Sequence, residues 1–172
     1  MPDIDVTEGL TLRRGQRRIE VRWLGRAHTS ADLVVWLPAE RIVATGDMLV
    51  WPIPLVGSDQ SHVRDWPATL DALLALDASV YVPGHGPVLH GPDYARRMRD
   101  LFASIDTQVA AAPGATLDDT RKAVDLATWR DAFAGQSRVR RVAFGMYVTE
   151  PAVESAWRDA NAKPATQPGV SP

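Results

Sequence analysis

The sequence contains no cysteine, and this absence removes several kinds of chemistry at once. A chain without cysteine forms no disulfide bond, offers no thiol nucleophile and holds no metal through sulfur. Any metal site must therefore use aspartate, glutamate or histidine, and the histidines are only four: His28, His62, His85 and His90. The absence of cysteine does not indicate whether the protein works in an oxidising or a reducing compartment.

Long apolar runs and an excess of positive charge are also missing. No apolar stretch approaches the roughly 18 residues that a bilayer-spanning helix needs. The N-terminus lacks a basic start followed by an apolar core, so it predicts no secretory signal, and the chain as written is expected in the cytoplasm. The 19 Lys and Arg residues are dispersed among 21 Asp and Glu residues, for a net charge of -2. Neither nucleic acid nor a membrane surface is therefore an expected partner.

What is present fits one domain with its own core. The chain has 172 residues, of which 45% are hydrophobic, and this length is typical of a single domain. We expect residues 1–162 to form that domain. The tail 163–172 is rich in proline, glycine and small polar residues, and we expect it to be disordered.

The hydrophobic pattern predicts strands in the first half and helices in the second. Alternation on both sides of a glycine turn at 14–16 predicts a β-hairpin, and the short apolar runs at 33–37 and 41–45 predict strands covered on both faces. Helical periodicity predicts four helices, at 61–76, 93–112, 116–126 and 151–162. With a brief strand at 80–82, this order predicts an α/β or α+β fold with helices on one face of a sheet.

Three metal-type side chains lie at strand ends. His28 precedes the strand at 33–37, Asp47 follows the strand at 41–45, and His85 lies in a Pro-Gly-His-Gly-Pro turn after the strand at 80–82. Loops at the ends of rigid strands often carry function. Two imidazoles and a carboxylate suit zinc, iron or manganese, so this set predicts a metal site.

Three residues near these ligands are candidates for supporting roles. Thr29 and Asp32 are expected to orient His28 or its strand, as hydroxyls and carboxylates outside the ligand set do. Trp51, soon after Asp47, is a candidate for lining a substrate groove, with core packing as the equal alternative. His62 and His90 are expected to face solvent, and the run Arg138-Val139-Arg140-Arg141 predicts a solvated face rather than an anion site.

The two segments AHTSADLVVWLPAERIVATGD and DWPATLDALLALDASVYVPGHGPV resemble the second half of metallo-β-lactamase-fold hydrolases. The resemblance runs from about residue 6 to residue 88, and more loosely through the C-terminal helices. It implies an αββα sandwich and a site of one or two metal ions, zinc first, where water attacks an ester, thioester or lactam-type substrate. In that pattern His28 and His85 are ligands of different metals, and Asp47 bridges them.

The family's His-x-His-x-Asp-His segment is absent from this sequence, which therefore resembles only the C-terminal half of the fold. Without the ligands of that segment, each metal of a two-metal site would keep only two ligands, fewer than the three of a catalytic zinc site. Half a sandwich also leaves an apolar sheet face and a strand edge uncovered. A homodimer, or a separate chain that supplies the N-terminal half, would cover them; if the chain folds alone, its C-terminal helices are expected to lie there.

Two functional hypotheses follow. The first is a metal-dependent hydrolase acting on a small-molecule substrate, incomplete in this chain and active once the missing ligands are supplied. The second is a truncated or degenerate domain without catalysis, which acts as a subunit or has no independent activity. The retained His28, Asp47 and His85 favour the first, and the absent segment favours the second.

Overall fold

The computed structural model describes residues 6–7, 9–57 and 59–162. Its strands are β1 (Gly9–Arg14), β2 (Arg17–Trp23), β3 (Leu33–Leu37), β4 (Ile42–Val50), β5 (Val80–His85) and β6 (Leu89–His90). Its helices are α1 (Trp66–Leu74), α2 (Asp93–Ala110), α3 (Leu117–Ala123), α4 (Ala127–Ala134), α5 (Arg138–Phe144) and α6 (Glu150–Asn161), and a π-helical turn (Gly145–Thr149) joins the last two. The predicted tail at 163–172 lies outside the described residues.

All six strands form one mixed sheet in chain order, from β1 at one edge to β6 at the other. The hairpin predicted around Gly15 is present, with Leu12 opposite Ile19. Four of the strand pairs are antiparallel, and β4 pairs with β5 in parallel. That parallel pairing needs a crossover between the two strands, and α1 provides it.

The core lies on one face of this sheet, under the helices. Trp36, Val43 and Tyr81 are neighbours across three strands, and all three are buried. They belong to the same apolar cluster as Trp66 of α1 and Phe102 of α2, whose rings stack with centroids 4.5 Å apart. The prediction of an α/β fold with helices on one face of a mixed sheet is therefore confirmed.

The helical half differs in detail from the prediction. The helix expected from residue 61 begins at Trp66, because Ser61 turns inward and its buried hydroxyl donates a hydrogen bond to the carbonyl of His28. Between 127 and 149 the chain forms α4, α5 and the π-helical turn, which are too short for the periodicity to reveal. The predicted helix at 116–126 ends at Ala123, and the Thr116 hydroxyl accepts its capping hydrogen bond from the amide of Asp119.

The opposite face of the sheet is apolar and open. Strand β3 alternates strictly, with Val34 fully buried against the helices and Val35 39% exposed on the other side. The pairing of the strands places apolar residues of five strands on the same open face as Val35. These residues are Leu10, Leu12, Ile19, Val21, Trp23, Leu33, Leu37, Ile42, Ala44, Val80 and Val82. Exposed apolar patches of this kind mark interaction surfaces, ligand grooves or aggregation-prone surfaces.

Two expectations about coverage are wrong. Strand β3 and the first part of β4, residues 42–45, are covered on one face only, whereas Met48, Leu49 and Val50 at the end of β4 are all buried. The C-terminal helices do not lie over the open face. Helix α6 instead joins the core on the helix side, where the Ser155 hydroxyl donates to the carbonyl of Ser61 and accepts from the amide of Val63. Helix α6 lies there because its apolar stripe, Ala152, Val153 and Ala156, is buried in the core that the other helices form.

The polar residues of β2 lie on the helix side, so that its apolar residues face the open side. Glu20 is only 3% exposed, opposite Trp36, and it pairs with the guanidinium groups of Arg18, at 2.7 Å, and Arg22. Two cations satisfy the buried carboxylate, which would otherwise be costly to remove from water. Within the described residues, no helix is both long and apolar enough to cross a membrane.

Replacing each of two neighbouring valines by threonine tests whether the open face is uncovered in solution. Threonine keeps the shape of valine and adds one hydroxyl, which is costly only where it is buried without a partner. We expect Val34→Thr to lower the free energy of unfolding by about 1–3 kcal/mol, and Val35→Thr to change it by less than about 0.5 kcal/mol. Urea denaturation measures both, and equal losses would mean that the Val35 face is covered in solution.

Candidate functional site

Asp47 and His85 meet at one end of the parallel strand pair. Strands β4 and β5 run side by side with Ala44 opposite Val82, and the register then shifts so that Val50 lies opposite His85. The shift brings Nε2 of His85 to 3.5 Å from Oδ1 of Asp47. Both side chains are accessible, at 65% for the histidine and 35% for the aspartate, so the pair opens to solvent.

Two glycines allow this close approach. A Cβ atom at Gly84 would overlap Oδ1 of Asp47 and would lie 2.8 Å from the carbonyl carbon of Gly46, so a side chain there would displace the Asp47 carboxylate. Gly86 has a φ of +108°, which side chains rarely adopt, and a Cβ atom there would lie 2.8 Å from Cβ of Trp51. The two glycines that flank His85 therefore let its backbone pack closely against Asp47 on one side and Trp51 on the other.

His28 has one ring nitrogen committed and one free to act as a ligand. Its Nδ1 lies 3.0 Å from the carbonyl oxygen of Leu55. A carbonyl only accepts hydrogen bonds, so Nδ1 must carry the proton, and Nε2 keeps its lone pair. The imidazole is half-buried and meets Trp66 edge-on, with centroids 6.1 Å apart. A metal-ligating histidine is commonly fixed by a carbonyl in this way.

The residues expected to orient His28 act on its loop. The Asp32 carboxylate accepts from the amide of Thr29 at 2.8 Å and from its hydroxyl at 3.0 Å. These bonds close the turn that leads into β3 and so fix the backbone next to His28. The backbone of the histidine is held from the far side by the hydroxyl of Ser61, which lies before α1 and is fully buried.

The geometry fits part of a metal centre. Two ligand atoms each about 2.1 Å from one tetrahedral zinc ion lie about 3.4 Å apart, and the Asp47–His85 separation of 3.5 Å is close to that value. Nitrogen and oxygen donors also suit iron and manganese. Among the described residues, however, no group of three or more His, Asp or Glu side chains is arranged so that it could hold a metal ion. Asp47 and His85 thus form a pair, and His28 stands outside it.

Trp51 contacts the His85 loop through its backbone and Arg140 through its ring. Its amide donates to the carbonyl of His85 at 3.0 Å, and its ring lies under the guanidinium of Arg140, 5.3 Å from the centroid. Neighbouring Tyr94 donates its hydroxyl to the carbonyl of Val50. Burial raises the pKa of Tyr94 despite the opposing influence of Arg97, so the hydroxyl keeps its proton and remains a donor.

Known proteins match the strand half of this chain. A family model described as the metallo-beta-lactamase superfamily matches residues 1–85. The metallo-beta-lactamase type 2 of Bacteroides fragilis is 33% identical over 90 residues, which are 50% of this chain and 36% of that protein. The corresponding protein of Bacillus cereus is 28% identical over 88 residues, 49% of this chain and 34% of that protein.

Solved structures agree with the sequence matches. The metallo-beta-lactamase from Pontibacter korlensis superposes with a TM-score of 0.53 and 25% identity, covering 59% of this chain and 49% of that one. The DIM-1 metallo-beta-lactamase gives a TM-score of 0.50 and 25% identity, covering 57% and 46%. The chain thus matches about a third of the length of the curated relatives and about half of each solved chain. The resemblance inferred from the sequence motifs is confirmed.

Gly84→Ala tests the contact that brings the pair together. Because the new methyl group would overlap the Asp47 carboxylate and the Gly46 backbone, we expect a loss of about 1–3 kcal/mol in unfolding free energy. Gly145→Ala is the control, since nothing lies within 4 Å of a Cβ atom there and its φ of -58° suits alanine. Thermal and urea unfolding measure both variants. A Gly84→Ala chain as stable as the control would contradict this packing.

Proposed function

This chain belongs to the metallo-β-lactamase superfamily, and from that membership we propose that it forms part of a metal-dependent hydrolase of the same fold. The reaction is attack of water on an ester, thioester or lactam-type bond of a small-molecule substrate. Zinc is the first choice of metal, with iron and manganese as alternatives. A metal ion held here would supply a Lewis acid and an activated water.

The observation that carries this proposal is the approach of Asp47 to His85. Two residues 38 positions apart in the sequence come within 3.5 Å at the end of the parallel strands, with glycine at 84 leaving the necessary room. In an ordinary turn an aspartate would cap backbone amides, yet within the described residues the carboxylate of Asp47 makes no side-chain contact of this kind except with His85. Both groups keep lone pairs for a metal.

His28 is the third proposed ligand, through Nε2. Its loop is tied to residue 55 on one side and to Ser61 on the other. A modest shift of these loops would bring Nε2 toward the Asp47–His85 pair and give the three ligands of a catalytic zinc site. Otherwise the remaining ligands come from another polypeptide, and His28 belongs to a second metal position.

We also propose what covers the open sheet face. The match accounts for 49% and 46% of the two solved relatives, so the segment that fits this face is a polypeptide corresponding to the part of those relatives that the match leaves out. Its arrival would remove Val35, Trp23 and their neighbours from water and would bring further ligands to the site. A second copy of this chain is the competing occupant.

A non-catalytic role is the alternative function. It is favoured by the lack of a three-ligand group among residues 6–7, 9–57 and 59–162. Under this alternative the chain folds and packs against a partner, and the pair formed by Asp47 and His85 is inherited without use. The difference between the two functions is metal affinity, which can be measured directly.

Zinc binding by the purified chain tests the proposed site. We expect Asp47→Ala and His85→Ala each to weaken zinc binding at least tenfold, because each removes one of the few ligands. Asp59→Ala and His90→Ala are matched controls: both residues are exposed, and neither is part of the proposed ligand set. Isothermal titration calorimetry gives the affinities, and plasma mass spectrometry gives the metal content as purified.

Equal zinc affinity in all four variants would remove the metal centre and leave the non-catalytic alternative. A loss in His28→Ala comparable to that in Asp47→Ala would place all three residues in one site. A small loss in His28→Ala would assign His28 to a different metal position.

The oligomeric state separates the two occupants of the open face. If a different polypeptide covers it, the isolated chain should be a monomer in sedimentation velocity and should bind an apolar dye. Val35→Arg should then reduce dye binding without changing the molar mass. A dimer that dissociates in Val35→Arg would assign the face to a second copy of this chain instead.

A further inference from the structure

A pocket of about 390 Å³ lies where the helical half meets the loop after β4. Its walls come from three segments: Trp51 and Pro52 of the loop, Tyr94 and Arg97 of α2, and residues 132–137 with Arg140, where α4 ends and α5 begins. These helices lie beyond the region matched by the family model, which ends at residue 85. The helical walls of the pocket thus lie outside that match, whereas Trp51 and Pro52 lie inside it.

The pocket has two positive charges and no acidic wall residue. Arg97 and Arg140 line it, and none of the lining residues is aspartate or glutamate. Neither arginine has a recorded carboxylate partner among the described residues. Their neighbours in sequence are paired, Arg96 with Asp93 at 3.5 Å and Arg141 with Asp131 at 2.9 Å. Within the described residues, Arg97 and Arg140 are thus two arginines without a carboxylate partner that line the same pocket.

Each of these arginines is positioned by an aromatic ring. The guanidinium of Arg97 lies over Phe133, 5.9 Å from the ring centroid, and that of Arg140 lies over Trp51 at 5.3 Å. Stacking uses the flat face of a guanidinium and leaves its in-plane N–H groups free. In the part of the chain that the structure describes, neither guanidinium donates a hydrogen bond, so the N–H groups of both arginines remain available to an incoming acceptor.

We propose that this pocket binds a small organic anion. Carboxylate or phosphate oxygens accept hydrogen bonds from Arg97 and Arg140, and the apolar body of the molecule lies against Trp51 and Pro52. Planar guanidinium groups match the geometry of both oxyanions, and paired donors hold them more strongly than a single point charge. The solvated face predicted for the run at 138–141 thus has one exception, Arg140, which sequence alone cannot distinguish from Arg138.

The site needs neither a metal ion nor a second chain. Tyr94 fixes the floor by donating its hydroxyl to the carbonyl of Val50, and Trp51 is anchored to the His85 carbonyl on its other side. The pocket therefore forms in the isolated chain, and its occupancy can be measured whether or not the proposed hydrolase site binds zinc.

The experiment is calorimetric titration of the full chain, without added metal, using benzoate and phenyl phosphate as probes and neutral benzamide as the uncharged comparison. We expect saturable one-to-one binding of at least one anion and no binding of benzamide. Arg97→Gln and Arg140→Gln should each weaken anion binding at least tenfold. The stronger anion decides between a carboxylate and a phosphate ligand.

Arg138→Gln is the matched control, since Arg138 is an exposed arginine of the same helix that does not line the pocket. It should change affinity by less than twofold. The Trp51 indole N–H resonance, assigned from the spectrum of Trp51→Phe, should shift on titration. Absence of saturable binding, an equal loss in Arg138→Gln, or binding that leaves the Trp51 resonance unmoved would each overturn the proposal.

Discussion

The parallel pairing of β4 with β5 is the constraint on which the candidate site and the core both depend. On one side of this pair, Val43 and Tyr81 anchor the sheet to the helices. At its end the register shift and the missing side chain at Gly84 let Asp47 approach His85. Parallel strands need a crossover, and α1 serves both purposes, since it makes the connection and carries Trp66 into the core.

Burial on one face of the sheet explains how a chain that covers only about half the length of each solved relative still has a core. Helix α2 packs against both α1 and α6, and the three helices enclose a continuous cluster with the helix side of β3, β4 and β5. The cluster is large, and it includes four fully buried rings: Trp66, Tyr81, Phe102 and Phe144. The open face lowers the stability of the isolated chain, because apolar side chains of five strands stay in contact with water.

Sequence reasoning located the strands and the family, because each depends on local signals. Alternation in β1, β2 and β3 has a period of two residues, and the Gly-His-Gly turn carries its own conformational requirement. The same reasoning failed for α4 and α5, whose 8 and 7 residues are too short for periodicity. It also failed for Ser61, because a serine before an apolar run resembles a helix cap whether its hydroxyl caps a helix or, as here, holds the His28 loop.

By itself the sequence determined which groups are available: no sulfur ligand, two histidines and an aspartate at strand ends, and an apolar set on each face of the sheet. Tertiary structure alone decided which of them meet. Asp47 and His85 come together because strand register is set by burial of the helix side, while Nδ1 of His28 is taken by a carbonyl 27 residues away. It also decided that α6 thickens the helix layer instead of covering the open face, since partner choice between two apolar surfaces depends on shape complementarity, which no local pattern encodes.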